Sequence, residues 1–194
     1  MYEDVRWAPR LADVPGIAFT GSPGVDRTKL KHHGLRPTRN EYGLSWSRGG
    51  DDWSTEAPAS AHRGDRDLKP STLIKRTWEI LELPGTAADW HYPLLDVTGQ
   101  LWRLRTREPQ HLAVCEQFCR IDIDLVRVRP EPFWRGDRAA EGFVSIPTFD
   151  ILIKILRAVD DLDEALEYAR LGVEFGQGPD DDVAEIEAAL GAGV

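Results

Sequence analysis

Apolar residues in this chain come in short runs closed by glycine or proline. Gly16-Ile17-Ala18-Phe19-Thr20 meets Gly21-Ser22-Pro23-Gly24, Leu83 meets Pro84-Gly85, and Gly142-Phe143-Val144-Ser145-Ile146 stops at Pro147. Glycine and proline are the strongest local punctuation a backbone has, so the chain is expected to build short strands and helices. Its 194 residues are enough for one sizeable shared core. Nowhere do eighteen apolar residues follow one another, and Met1-Tyr2-Glu3-Asp4 shows neither a basic nor an apolar leader. The sequence therefore predicts no spanning helix, no signal peptide, no membrane partner and a cytoplasmic location.

Taken in order, the pattern predicts a strand over 16–20, a short helix over 25–33 stopped by Gly34, and a strand over 42–47. Residues 48–70 are polar and read as a long loop that does not fill the core. A helix over 72–82 follows, with Ile74, Trp78 and Leu81 on one face. Residues 91–97 and 100–105 read as a strand pair turning at Thr98-Gly99. The stretch 108–117 fits helix or strand equally. Residues 121–129 read as a strand whose apolar positions switch from odd to even at Val126, the mark of a bulge.

A further strand is expected over 142–146, and 151–156 fits a buried strand or the start of a helix. Asp161 with Glu164, and Asp182 with Glu185, look like carboxylate-headed starts of two closing helices. The fold class that follows is α+β, a mixed twisted sheet with short helices. One domain over 1–172 carries the polar loop at 48–70, and 173–194 forms an acidic helical extension.

Charge divides the chain more sharply than its net of −9 suggests. Residues 151–194 hold 11 acids and 3 bases, a net of −8, which leaves −1 for the first 150. Against that, 27–48 holds Arg27, Lys29, Lys31, Arg36, Arg39 and Arg48 with the single acid Glu41. The basic stretch suits an anion, and Trp46 and Trp53 flank Arg48 where an indole can stack on a flat ring. The acidic end suits a basic protein partner, as in an immunity- or antitoxin-like binding module.

Two other groupings invite a metal. His111, Cys115 and Cys119 fall at i, i+4, i+8, but no second ligand pair accompanies them, and small buried thiols are the simpler reading. Asp122-Ile123-Asp124 resembles the carboxylate strand of nucleotidyltransferases, yet their glycine-serine turn lies shortly before the acids, whereas Gly21-Ser22 lies far upstream. No metal site is expected.

Two separated segments combine into a more specific pattern. Ile17-Ala18-Phe19-Thr20-Gly21, then His33-Gly34-Leu35-Arg36-Pro37 and the strand over 42–47, resemble the N-terminal half of the ADP-ribosyltransferase fold. Arg138-Ala139-Ala140-Glu141-Gly142-Phe143-Val144, with Ile146-Pro147 and the apolar stretch to Leu156, is similar to the end of DarT-type DNA ADP-ribosyltransferases; the first segment also resembles RNA 2′-phosphotransferases. The resemblance covers about 17–47 and 137–172, and Ala18 occupies the family's usual His or Arg position.

The resemblance implies transfer of ADP-ribose from NAD to a single-stranded nucleic acid or a protein acceptor. Glu141 would be the catalytic carboxylate, stabilising the positive charge that develops on the ribose. Phe19, Thr20 and Gly21 would hold the nicotinamide or its ribose, and Tyr42 and Trp46 would stack on rings. Arg27 or Lys29 would meet the pyrophosphate, and Arg27, Arg39 and Arg48 compete for the role of the family's assisting arginine.

Overall fold

Trp90, Leu94, Val97 and Leu101 recur at i, i+4, i+7 and i+11, a helical period, and all four are buried. They form the inner face of a helix over Ala87–Leu104 in the computed structural model, which describes residues 7–40, 43–63, 69–135, 142–178 and 180–192. Among the described residues there are seven α-helices: α1 (Pro58–Ala61), α2 (Pro70–Leu81), α3 (Ala87–Leu104), α4 (Leu112–Val128), α5 (Thr148–Ala158), α6 (Leu162–Glu174) and α7 (Asp180–Ala192). The strands are β1 (Trp7–Ala8), β2 (Pro37–Asn40), β3 (Gly43–Gly49), β4 (Asp52–Ser54) and β5 (Gly85–Thr86).

The chain is therefore α+β, with helices building most of the core. Among the described residues there are, in place of one mixed sheet, two small antiparallel ones, the pair β1–β5 and the meander β2–β3–β4. In the meander Pro37 lies opposite Trp46, and Trp46 opposite Ser54.

The strand pair expected over 91–105 is the interior of α3. Thr98-Gly99 suggested a turn, but Thr98 donates its hydroxyl back to the Leu94 carbonyl at 2.8 Å, so the helix absorbs its polar group. Thr86 starts α3 with a capping box, its backbone N–H and hydroxyl donating to Asp89 Oδ2 at 2.8 and 2.7 Å. Gly85 permits the approach before it, because a Cβ there would lie 3.0 Å from Ala59 Cβ and 3.1 Å from Asp89 Cβ.

The strand expected over 121–129 is likewise helix. Its switch of parity belongs to a 3.6-residue period: Cys115, Phe118, Cys119, Asp122, Leu125 and Val126 are buried on α4. The open stretch 108–117 contributes a 3-10 turn at Pro109–His111 and the start of α4, and 151–156 lies inside α5.

Other expectations shift less. The strand expected over 42–47 is β3 at Gly43–Gly49, the helix expected over 72–82 is α2 at Pro70–Leu81, and the helix capped by Asp161 is present, with Asp161 accepting from the Glu164 N–H at 3.3 Å. Residues 16–20 carry no strand, and the expected helix over 25–33 reduces to a 3-10 turn at Arg27–Lys29. The strand expected over 142–146 reduces to one bridge, Trp134 opposite Phe143. The polar loop contains β4 and α1, and Ala57 and Ala59 are buried, so it does contribute to the core. Helix α7 starts two residues before Asp182 and sends Ile186 into the core. No described helix is long and apolar enough to cross a membrane.

Three helices meet at a buried polar centre. His91 Nδ1 on α3 donates to Asp122 Oδ1 on α4 at 2.6 Å, and the Thr148 hydroxyl at the start of α5 donates to Asp122 Oδ2 at 2.8 Å. All three residues are at most 1% exposed, and the Phe133 ring packs on the imidazole at 4.6 Å. Asp122→Ala leaves two buried donors unpaired and is expected to cost about 3 kcal/mol, Thr148→Val about 1 kcal/mol, in urea unfolding. A loss below about 1 kcal/mol for Asp122→Ala would mean that the centre does not tie the helices together.

Candidate functional site

Helix α4 presents a second, outer face. Arg120, Asp124 and Arg127 recur at i, i+4 and i+7, and opposite them α6 turns Glu167, Tyr168 and Leu171. The segment Ala18-Phe19 closes the third side. Together with Ile121 and Ile123 these residues line a cleft of about 310 Å³. Its floor is apolar and its rim is charged.

Each wall is held by identifiable bonds. The Ala18 N–H donates to Asp124 Oδ2 at 2.8 Å, the Ser22 N–H to Glu82 Oε1 at 2.6 Å, and the Ser22 hydroxyl to the Trp78 carbonyl at 2.7 Å. Phe19 stacks on Trp78 with ring centroids 6.2 Å apart. Two carboxylates, one of them on the buried Glu82, thus fix a segment that has no sheet to hold it.

Arg120 fixes α6. Its Nη2 donates to Glu116 Oε1 and to Glu164 Oε2, each at 2.8 Å, its Nη1 bonds Glu164 Oε1, and its guanidinium lies 5.6 Å from the Tyr168 ring centroid. The hydrogen bonds from Arg120 hold the Glu164 carboxyl below the usual carboxylate range. The same bonds raise the Arg120 guanidinium pKa still further, so it remains charged. Arg127 bonds Asp124. Both cations lining the cleft therefore carry a carboxylate partner, whereas Glu167 is exposed and has no ion-pair partner among the described residues.

Among the residues expected from the sequence, Gly21 and Arg27 both lie against Glu82. Phe19 lines the cleft beside Ala18, while Thr20 is exposed on the loop and Gly21 sits with a positive φ of +149° beside Glu82. Arg27 is committed to backbone oxygens, its Nε donating to the Glu82 carbonyl at 3.1 Å and its Nη2 to His33 at 2.7 Å and Pro9 at 3.2 Å. Lys29 pairs with Asp26 at 3.1 Å. Arg39 lies on β2 opposite Leu44, and Arg48 lies on β3.

Trp46 is 2% exposed, so its ring faces have no room for a ligand ring, whereas Trp53 on β4 is half exposed. Tyr42 and Glu141 lie outside the described residues.

Cys115 and Cys119 are buried free thiols in the core, and burial pushes the Cys119 thiol up. His111 pairs instead with Glu108 at 3.2 Å. Among the described residues no group of three His, Cys, Asp or Glu side chains is placed to hold a metal. Asp122 and Asp124 serve separate purposes on a helix, one in the buried centre and one pinning Ala18.

Sequence reasoning missed Arg120, Glu164, Glu167, Tyr168 and Leu171. The usable signal was Glu116-Arg120 and Glu164-Tyr168 at i, i+4, visible only once both stretches are read as helices. No family model matches the chain, and no curated protein or solved structure is significantly similar to it.

Because the Glu164 pKa is lower in the folded chain than in the unfolded one, its pair with Arg120 stabilises the fold above the ordinary glutamate range. That contribution is lost as pH falls through the depressed folded value. Arg120→Ala is expected to cost about 1 kcal/mol at neutral pH, and the deficit should shrink on acidification in urea unfolding repeated across pH. A deficit independent of pH would show that Arg120 acts through packing alone.

Proposed function

We propose that the protein is a non-catalytic binding module, immunity- or antitoxin-like, that meets a basic partner through the outward face of its C-terminal helices. One observation carries this reading: the carboxylates there divide into compensated and uncompensated sets. Glu164 has a partner in Arg120, which it shares with Glu116; Asp182 and Glu185 share Arg157, and Glu187 pairs with Arg170. Asp163, Glu167 and Glu174, at i, i+4 and i+11 of α6, are exposed and have no such partner among the described residues. Helical spacing puts all three on one side. Uncompensated charge of one sign on one face steers the approach of an oppositely charged surface and weakens with salt.

Transfer of ADP-ribose from NAD to a single-stranded nucleic acid or protein acceptor is the second reading. Its support is that Ala18 and Phe19, from the segment resembling a nicotinamide site, line the cleft. The binding reading takes precedence because Arg27, Arg120 and Arg127 are each already bonded to protein oxygens and offer no free cation to a pyrophosphate.

The test has two arms. An arginine- and lysine-rich peptide is expected to bind the wild-type chain, to lose affinity in about 0.5 M salt, and to lose it at low salt when Asp163, Glu167 and Glu174 are all replaced by lysine. Unchanged affinity in that variant overturns the binding face. In the second arm, incubation with NAD and single-stranded oligonucleotide is expected to release no nicotinamide. Release that disappears in Glu141→Gln overturns the binding reading in favour of transfer.

A further inference from the structure

The acidic face and the cleft share one residue. Glu167 belongs to the uncompensated row on α6 and also stands on the rim of the cleft, whose floor is formed by Phe19, Ile121, Ile123 and Leu171. Resting on the binding-module reading, we propose that this cleft is the anchor point of that surface. It takes an apolar side chain of a basic peptide segment of the partner, while an adjacent arginine or lysine of that segment pairs with Glu167.

Charge decides the occupant. Arg120 is shared by Glu116 and Glu164, and Arg127 is matched by Asp124, so the group is net negative, and among the described residues lining the cleft Glu167 is the carboxylate with no ion-pair partner. Among the described residues an anion entering the cleft meets no unpaired cation and is repelled by the carboxylate of Glu167. The same carboxylate attracts a cation. The floor sets the second requirement, since an aliphatic side chain leaving water for these four apolar side chains gains free energy that a polar one does not. A volume of about 310 Å³ lies at the small end of ligand sites, enough for one or two side chains of an extended segment.

The geometry also gives the cleft a fixed shape before any partner arrives. Its α4 wall is joined to α6 by Arg120, and its third wall is pinned through Ala18 to Asp124. Anchor pockets that are already formed bind with less ordering cost than those that must be assembled.

Three labelled octapeptides test this. One alternates leucine with arginine, a second alternates serine with arginine, and a third alternates leucine with glutamate. Fluorescence anisotropy is expected to rank the leucine-arginine peptide about tenfold tighter than the serine-arginine peptide, with the leucine-glutamate peptide not bound. Amide shifts in NMR titration should centre on Phe19, Ile121, Tyr168 and Leu171. Glu167→Lys should weaken the first peptide about tenfold, while Glu174→Lys, on the same face of α6 but not lining the cleft, should weaken it less than Glu167→Lys does.

If both arginine peptides bind equally and Glu174→Lys matters as much as Glu167→Lys, the anchor is overturned while the acidic face stands. If neither arginine peptide binds, both are overturned. Thermal melting of the two single-site variants, both at exposed positions, confirms that each remains folded.

Discussion

A carboxylate buried among three helices organises this molecule. Asp122 is fully shielded from water, and a buried charged or polar group is tolerated only when its hydrogen bonds are made. His91 and Thr148 supply them, and they come from α3 and from the start of α5. Any sliding of α4 against either neighbour would break a bond that water cannot replace. The apolar faces of α3, α4 and α5 drive their association without specifying register, and the Asp122 centre selects one alignment among the many that burial alone would accept.

The cleft is a consequence of that alignment. Once the inner face of α4 is fixed, its outer face sets the positions of Arg120, Asp124 and Arg127. Arg120 then places α6 through Glu164, and Asp124 places the N-terminal segment through the Ala18 N–H. A segment without strand pairing is thereby held at one end by Asp124 and at the other by Glu82, which accepts the Ser22 N–H. The ion pairs are half exposed and individually worth little. Their effect here is geometric, closing the three sides of a site whose base is already rigid.

What could be read from the sequence follows from how local each signal is. The helices at 70–81 and 162–174 were legible because proline at one start and Asp161 at the other act within a single turn. The strand at 43–49 was legible from alternation. Helices α3 and α4 were not, because Pro93, Thr98-Gly99 and a run of isoleucine and valine argue locally for strands and turns. The winning signal, Trp90 to Leu101 and Cys115 to Val126 at helical spacing, appears only over a longer window. The α+β class emerged correctly, whereas the cleft required knowing which helices face each other.

The pair Asp122 and Asp124 shows how completely backbone period governs chemistry. On a strand, residues two apart point the same way, and two carboxylates so placed would share a cation. On a helix they point about 200° apart. One therefore turns into the core and becomes the acceptor of His91 and Thr148, while the other turns outward, bonds Arg127 and fixes Ala18. Asp122 and Asp124 thereby join the inner alignment of the bundle to the outer wall of its cleft. A partner seated in that cleft would thus press on a helix whose opposite face is locked by the buried aspartate, which is the rigid backing that an anchor site needs.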